Sequence, residues 1–208
     1  MTTRTSTIPA PGFSEPTRQA QQTFRAVLDA LSRPTRPLPV AGPPEAPASL
    51  GPALAAVLLT LLDEECSAWL GGRFADDAEL DAWLAFHTGV RRARTAAEAD
   101  FVVVDAAAAP ALEDLAQGSD EEPHRSATVV LDARGCTGDR RWSAHGPGIE
   151  GSAVLVAPWA DAEFFGRWTR NAAQFPRGVD LLVLDAGSVT GLPRTTRLGP
   201  TAPTTEED

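Results

Sequence analysis

The stretch Asn171-Ala-Ala-Gln-Phe-Pro-Arg-Gly-Val-Asp-Leu-Leu-Val-Leu-Asp185 restricts the fold more than any other part of the chain. Pro176 and Gly178 end whatever helix precedes them. Val179 to Leu184 is then a short apolar run, interrupted only by Asp180, the pattern of a short strand covered on both faces and not of one alternating between core and water. Such a strand requires a layer on each side of its sheet. Asp185-Ala-Gly-Ser188 supplies turn chemistry, so Val189 to Arg197 is expected to return beside the first strand. Pro193 lacks a backbone donor, which a sheet tolerates at its margin, and this predicts an edge strand followed by exposed donors at Arg194, Thr195, Thr196 and Arg197.

Upstream, helices alternate with short apolar runs. Residues 1–13 are small, polar and aperiodic and are expected to form a disordered tail. Ser14 is placed to cap a helix with Pro16 in its first turn, and Phe24, Val27, Leu28 and Leu31 recur at helical spacing as its core face. Pro34 closes that helix. Seven prolines between residues 34 and 52 predict an extended crossing over the surface. Pro52 opens a second helix, Ala53 to Leu62, apolar nearly all round and therefore buried. Ser67 to Leu70 reads as a strand, and Asp76 or Asp77 caps a helix through Leu80, Trp83, Leu84 and His87 that Gly89 closes. Beyond the basic turn Arg91-Arg92-x-Arg94, Asp100 to Asp105 and Ala127 to Leu131 read as strands, with a short helix, Pro110 to Gln117, between them. Trp142 to Ala144 and Gly151 to Val156 flank a glycine-rich turn as a hairpin, and Asp161 caps a last helix through Phe164, Phe165 and Trp168. The expectation is one three-layer α/β/α domain with a mixed sheet over residues 14–199, followed by a disordered acidic tail at 200–208.

Composition removes several functions. The formal charge of −10 and pI of about 4.8 argue against a general nucleic-acid or anionic-membrane surface. All 18 basic residues are arginine, so no side chain can form a Schiff base and a P-loop would lack its lysine. His87, His124 and His145 are isolated, which predicts no metal site, and nothing in the chain calls for a cofactor. Cys66 and Cys136 give no disulfide framework and read as reduced thiols. Met1-Thr-Thr-Arg-Thr-Ser6 has no apolar signal segment and no run reaches membrane-spanning length, so the chain is expected to be cytoplasmic.

Phe175-Pro-Arg-Gly-Val-Asp-Leu181 followed by Pro193-Arg-Thr-Thr196 resembles the ending of the H subunit of the bacterial carbon–phosphorus lyase system. Further stretches match that family in order: Ala20-Gln21 with Phe24-Arg25 and Ala30-Leu-Ser32, Leu58 to Asp63 before Trp69-Leu70, Phe86-His-Thr88, and Gly146-Pro-Gly-Ile149. The resemblance covers about residues 18 to 198. It departs at Arg33-Pro34-Thr35, where the family pattern has Pro-Gly, and the turn there is expected to differ.

The resemblance implies the architecture of the large domain of pyridoxal-phosphate transferases, without the cofactor lysine. It also implies an accessory subunit, inactive alone, of the assembly that makes alpha-D-ribose 1-methylphosphonate 5-triphosphate from ATP and methylphosphonate and releases adenine. Its partners would be the other lyase subunits, and the isolated chain would be a homodimer. Arginine forks suit phosphate and phosphonate oxygens, so Arg177 and Arg194, with the Thr195 and Thr196 hydroxyls, are candidate substrate contacts. Arg25, off the core face of its helix, reads as a ligand contact, a partner contact or a solvated arginine. His87 reads as a cap for the last helical carbonyls or as a ligand contact. A purely structural adaptor and an independent phosphosugar-binding enzyme remain alternatives to the substrate-handling subunit.

Overall fold

The computed structural model describes residues 9–201, so residues 1–8 and 202–208 of the expected tails, 1–13 and 200–208, lie outside the described residues, while Pro200 of the second ends a strand, Arg197–Pro200. The described part of the N-terminal tail runs along a helix: the Ala10 carbonyl accepts from Trp83 Nε1 and His87 Nε2, at 2.9 Å each.

A seven-stranded mixed sheet organises the chain, in the order β1-β9-β8-β5-β4-β2-β3. Its central strands β2 (Ser67–Leu70), β4 (Phe101–Asp105), β5 (Thr128–Asp132) and β8 (Asp180–Asp185) run parallel, and β3 (Arg91–Arg92) continues this beside β2. β9 (Ser188–Leu192) returns antiparallel to β8, and β1 (Leu38–Pro39) pairs antiparallel with β9. The near-continuous apolar runs of β4, β5 and β8 follow from this placement, because both faces of the sheet are covered. One face carries α1 (Pro16–Ser32), α2 (Pro52–Leu61) and α3 (Ala78–Thr88), which pack with Val103, Val130, Leu182 and Leu184. The other carries α4 (Ala162–Ala173) and a three-stranded antiparallel sheet in the order β10 (Arg197–Pro200), β6 (Arg141–His145), β7 (Ala153–Val156), packed with Val102, Val104, Val129, Leu131 and Leu181.

Trp83 and Trp168 anchor the opposite faces and are fully buried. At about 150–250 Å² of surface and about 25 cal/mol per Å², each stabilises its layer by roughly 4–6 kcal/mol before entropy is counted. Helix starts follow local chemistry. Asp77 accepts from Leu80 N at 3.0 Å at the head of α3, and Asp161 accepts from Phe164 N at 2.7 Å at the head of α4. Gly89 ends α3 at φ 69°, a left-handed conformation that glycine adopts without strain.

Several expectations are corrected. Glu15, not Ser14, is the residue before α1, and it makes no side-chain cap. The buried stripe of α1 is Thr23, Val27 and Ala30, whereas Phe24 and Leu28 are about half exposed. The cause is the close approach of α1 to β9: a Cβ on Gly191 would lie 2.5 Å from the Ala30 backbone, so the small-residue face of the helix turns inward. The proline-rich crossing contributes β1, and β9 is therefore not an edge strand; Pro193 follows it outside the sheet. Arg91 and Arg92 form the edge strand β3 and not a turn. The expected helix at Pro110 to Gln117 is a single 3-10 turn at Leu112–Asp114. The hairpin is β6 (Arg141–His145) and β7 (Ala153–Val156), and β10 (Arg197–Pro200) joins it through pairing that the local pattern did not announce.

Thr35 has φ 75°, the one left-handed non-glycine among the described residues, and its N–H donates to the Gly191 carbonyl at 3.4 Å. The turn after α1 thus takes the backbone conformation that a glycine would take there, although a β-branched residue occupies it.

Candidate functional site

The two motif stretches at the end of the chain meet at the amino edge of the parallel sheet. Asp180 opens β8, Pro193 and Arg194 leave β9 beside it, and Pro123 and Ser126 precede β5. Arg194 ties them together. Its Nε faces both Asp180 carboxylate oxygens at 3.1 and 3.2 Å, Nη1 donates to the Pro123 and Pro176 carbonyls at 3.0 and 3.2 Å, and Nη2 donates to Ser126 and to Asp180. Its backbone N–H reaches Asp180 at 2.7 Å. The side chain is 12 % exposed and each of its five N–H donors has an acceptor in the protein. A planar fork suits this task, because one guanidinium joins three chain segments that are distant in sequence.

The other predicted residues are spread over the molecule. Arg177 is about half exposed and pairs with Asp120 at 3.5 Å. Thr195 lines a shallow open depression of about 380 Å³ together with His124, Phe175, Pro176 and Arg194. The Phe175–Pro176 bond in its wall is cis. Thr196 is buried; its carbonyl accepts from Trp168 Nε1 at 2.9 Å, while its hydroxyl has no partner among the described residues. His87 does not cap its own helix: through Nε2 it holds the Ala10 carbonyl, with its ring against Trp83 and Phe86. Arg25 is exposed on α1 and enters no ion pair among the described residues. Arg177, Arg194, Thr195 and Thr196 thus share one region, and His87 and Arg25 lie on the helical layer of the opposite face.

Three of the motif stretches converge although they are far apart in sequence. A Cβ on Gly148, at φ 80°, would fall 1.9 Å from the Ser32 carbonyl, and one on Gly146, at φ 141°, would fall 2.8 Å from the Thr195 carbonyl. The Gly146-Pro-Gly turn is therefore wedged between the end of α1 and the Thr195-Thr196 segment. Glycine is required there for backbone contact as well as for conformation.

The carboxyl edge of the sheet holds a second group of charges that motif reading passed over. β4, β5 and β8 each end in aspartate, Asp105, Asp132 and Asp185. Asp132 is 1 % exposed and is paired by two arginines. Arg134 reaches it from Nε at 3.0 Å and from Nη2 at 2.7 Å, and Arg73 contacts it through Nη2. Asp105 accepts from the Arg73 backbone N–H at 2.8 Å, and a Cβ on Gly72 would collide with this carboxylate. Arg73 itself is 41 % exposed. Open α/β sheets take ligands at this edge. The repeated endings Val-Val-Asp105, Val-Leu-Asp132 and Val-Leu-Asp185 were the available signal.

Burial pushes the Cys136 thiol above its ordinary range, reinforced by Asp132 and Asp185. Among the described residues no group of three His, Cys, Asp or Glu side chains is arranged to hold a metal ion.

A family model described as bacterial phosphonate metabolism protein (PhnH) matches residues 11–199. The chain is 36% identical over 199 residues to the alpha-D-ribose 1-methylphosphonate 5-triphosphate synthase subunit PhnH of Rhizobium meliloti (strain 1021), covering 94% of this chain and 98% of that protein. It is 33% identical over 184 residues to the putative C-P lyase subunit protein HtxG of Stutzerimonas stutzeri, covering 86% of this chain and 85% of that one. The family match takes in both edges of the sheet and every motif stretch described above, from Ala20 to Thr196. The chain belongs to the PhnH family of bacterial phosphonate metabolism proteins.

Proposed function

We propose that this chain is a subunit of a carbon–phosphorus lyase assembly, in which it supports formation of alpha-D-ribose 1-methylphosphonate 5-triphosphate from ATP and methylphosphonate, with release of adenine. The observation that carries the reading is the match to 98% of the R. meliloti subunit. The partners are the other lyase subunits, and the chain is inactive without them. It works in the cytoplasm. Among the described residues no helix is long and apolar enough to cross a membrane.

The reaction joins a phosphonate oxygen to the ribose anomeric carbon as adenine leaves. Bringing a phosphonate near a triphosphate requires fixed positive charge. Arg177, half exposed and held only by a 3.5 Å pair, is free to turn toward such an anion. Arg194 has no donor to spare, so its role is to position the Pro123, Pro176 and Thr195 segments around the depression. Thr195 faces a ligand there, and Thr196 braces it from beneath through Trp168. His87 and Arg25 lie on the layer where the exposed Phe24, Leu28 and Phe86 offer a subunit contact, and the isolated chain is a homodimer. The saturation of Arg194 favours one further reading, in which the Pro193-Arg-Thr-Thr stretch serves assembly and not substrate. The sheet layers are similar in class to the large domain of pyridoxal-phosphate transferases, but the chain has no lysine for that cofactor to link to.

Reconstitution with the partner subunits tests the proposal. Arg177→Lys is expected to assemble normally and to lose turnover, because lysine keeps the charge but not the fork. Turnover and assembly both equal to wild type would remove Arg177 from the site. Failure of the wild-type chain to join the assembly would overturn the function.

A further inference from the structure

The crossover from β4 to β5, residues 106–127, contains three short 3-10 turns and no α-helix. A parallel crossover normally lays a helix over its own strands. Here that cover is missing on the α4 face, and a cavity of about 290 Å³ is left over Val129 and Leu131. Trp159 and Phe164 form its aromatic wall, their rings meeting edge to face at 4.8 Å. Glu163 and Arg167, one turn apart on α4 and paired with each other, stand at the cavity with one acceptor and one donor group.

Size and charge narrow the occupant. Sites for whole drug-sized ligands run from about 300 to 1,000 Å³. This one is at the lower limit, enough for a single ring system and too small for a nucleoside triphosphate. An anionic headgroup is disfavoured, since Glu163 already engages Arg167 and Asp161 adds a second carboxylate to the lining. Aliphatic and aromatic walls suit a flat ring, the Glu163 carboxylate suits an amino group on its edge, and the Arg167 guanidinium suits an unprotonated ring nitrogen.

We infer that this cavity binds a planar, amino-bearing heterocyclic base, and that the base is the adenine end of the nucleotide donor. Only the second half of the inference rests on the proposed function. The base enters between Trp159 and the sheet, and any ribose and phosphates attached to it stay outside the cavity, away from Asp161 and Glu163.

The test is calorimetric and fluorescence titration of the full chain with adenine, hypoxanthine and methylphosphonate as separate probes. Adenine is expected to bind saturably and to quench tryptophan emission, and hypoxanthine, which lacks the amino group, to bind about tenfold more weakly. Methylphosphonate is expected not to compete. Ala109→Phe places a ring inside the cavity from its margin and is expected to weaken adenine about tenfold or more with the melting temperature retained. If that variant does not fold, Glu163→Gln at an exposed helical position is expected to erase the preference for adenine over hypoxanthine. Absence of saturable adenine binding, or binding that Ala109→Phe in folded form and Glu163→Gln both leave unchanged, overturns the inference. Turnover of the reconstituted assembly separates the two ideas. Wild-type turnover by the Ala109→Phe chain would leave the proposed function standing and remove the adenine assignment, whereas adenine binding by a chain that never joins the assembly would do the reverse.

Discussion

Arg194→Lys is the substitution whose outcome the structure specifies most closely. The arginine engages four acceptor groups: the Asp180 carboxylate, the Pro123 and Pro176 carbonyls, and the Ser126 hydroxyl. A lysine ammonium is a point donor with three protons and cannot span that set. It keeps Asp180 and at most one other partner, so at least two hydrogen bonds from a charged donor are lost. Each contributes about 1.5–3 kcal/mol where buried, and partial replacement by water brings the expected loss to about 3 kcal/mol. For a domain of this length one kcal/mol is about 2–4 °C in melting temperature, so Arg194→Lys should melt about 6–12 °C below wild type. Arg194→Ala leaves the part-buried Asp180 unpaired and should cost about 3–5 kcal/mol. Thermal and urea unfolding of the isolated chain measure both. A lysine variant that melts within about 2 °C of wild type yet has lost turnover would refute the reasoning, because Arg194 would then be a ligand group and not a tie between segments.

Three further outcomes follow from local geometry. Thr35→Gly should stabilise the chain by about 0.5–1 kcal/mol, as relief of roughly 1–2 kcal/mol of left-handed strain exceeds the extra chain entropy of glycine; a destabilised variant in urea titration would show the turn to be unstrained. Asp77→Ala should cost about 1 kcal/mol through loss of the α3 cap. Burial alone would raise the Asp77 carboxyl, but the Leu80 N–H that donates to it at 3.0 Å, with the Ser49 hydroxyl and the Glu79 N–H close by, outweighs burial and holds the group below its ordinary value of 3.8. Its contribution is therefore complete above about pH 4 to 5 and is lost as pH falls through the lowered folded value, so the gap between wild type and Asp77→Ala should close in acid and stay constant from pH 6 to 8. Burial also pushes the Cys66 and Cys136 thiols up, so at pH 7.5 both should react with Ellman's reagent about tenfold more slowly than a free thiol and should speed up on unfolding; reaction at the free-thiol rate would contradict the placement.

The central sheet was legible because its strands are buried on both faces. Ala68 to Leu70, Phe101 to Val104 and Leu181 to Leu184 carry that fact as uninterrupted apolar runs, and Asp77, Gly89 and Asp161 mark helix ends by local chemistry. What could not be read depends on contacts between distant segments. α1 has two apolar faces, and only the approach of Gly191 decides that Ala30 goes inside and Phe24 outside. The β10 segment, Arg-Leu-Gly-Pro, is too short and too poor in strand-forming residues to announce a partner, yet it pairs with β6 along Arg197 to Pro200. The same limit applied to the site. A sequence displays the five donors of Arg194 but not the four acceptors that use them. Likewise Asp105, Asp132 and Asp185 follow apolar runs in the sequence, but their common place at one sheet edge, with Arg73 and Arg134 on Asp132, is visible only in the fold.

The most direct test of the central claim is product formation by the reconstituted lyase assembly with and without this chain, at equal concentrations of the other subunits, ATP and methylphosphonate. The account predicts that the chain co-purifies with the assembly and that its omission abolishes formation of alpha-D-ribose 1-methylphosphonate 5-triphosphate, restored when the chain is added back. Full product formation by an assembly that lacks the chain, or no association when it is supplied, would contradict it.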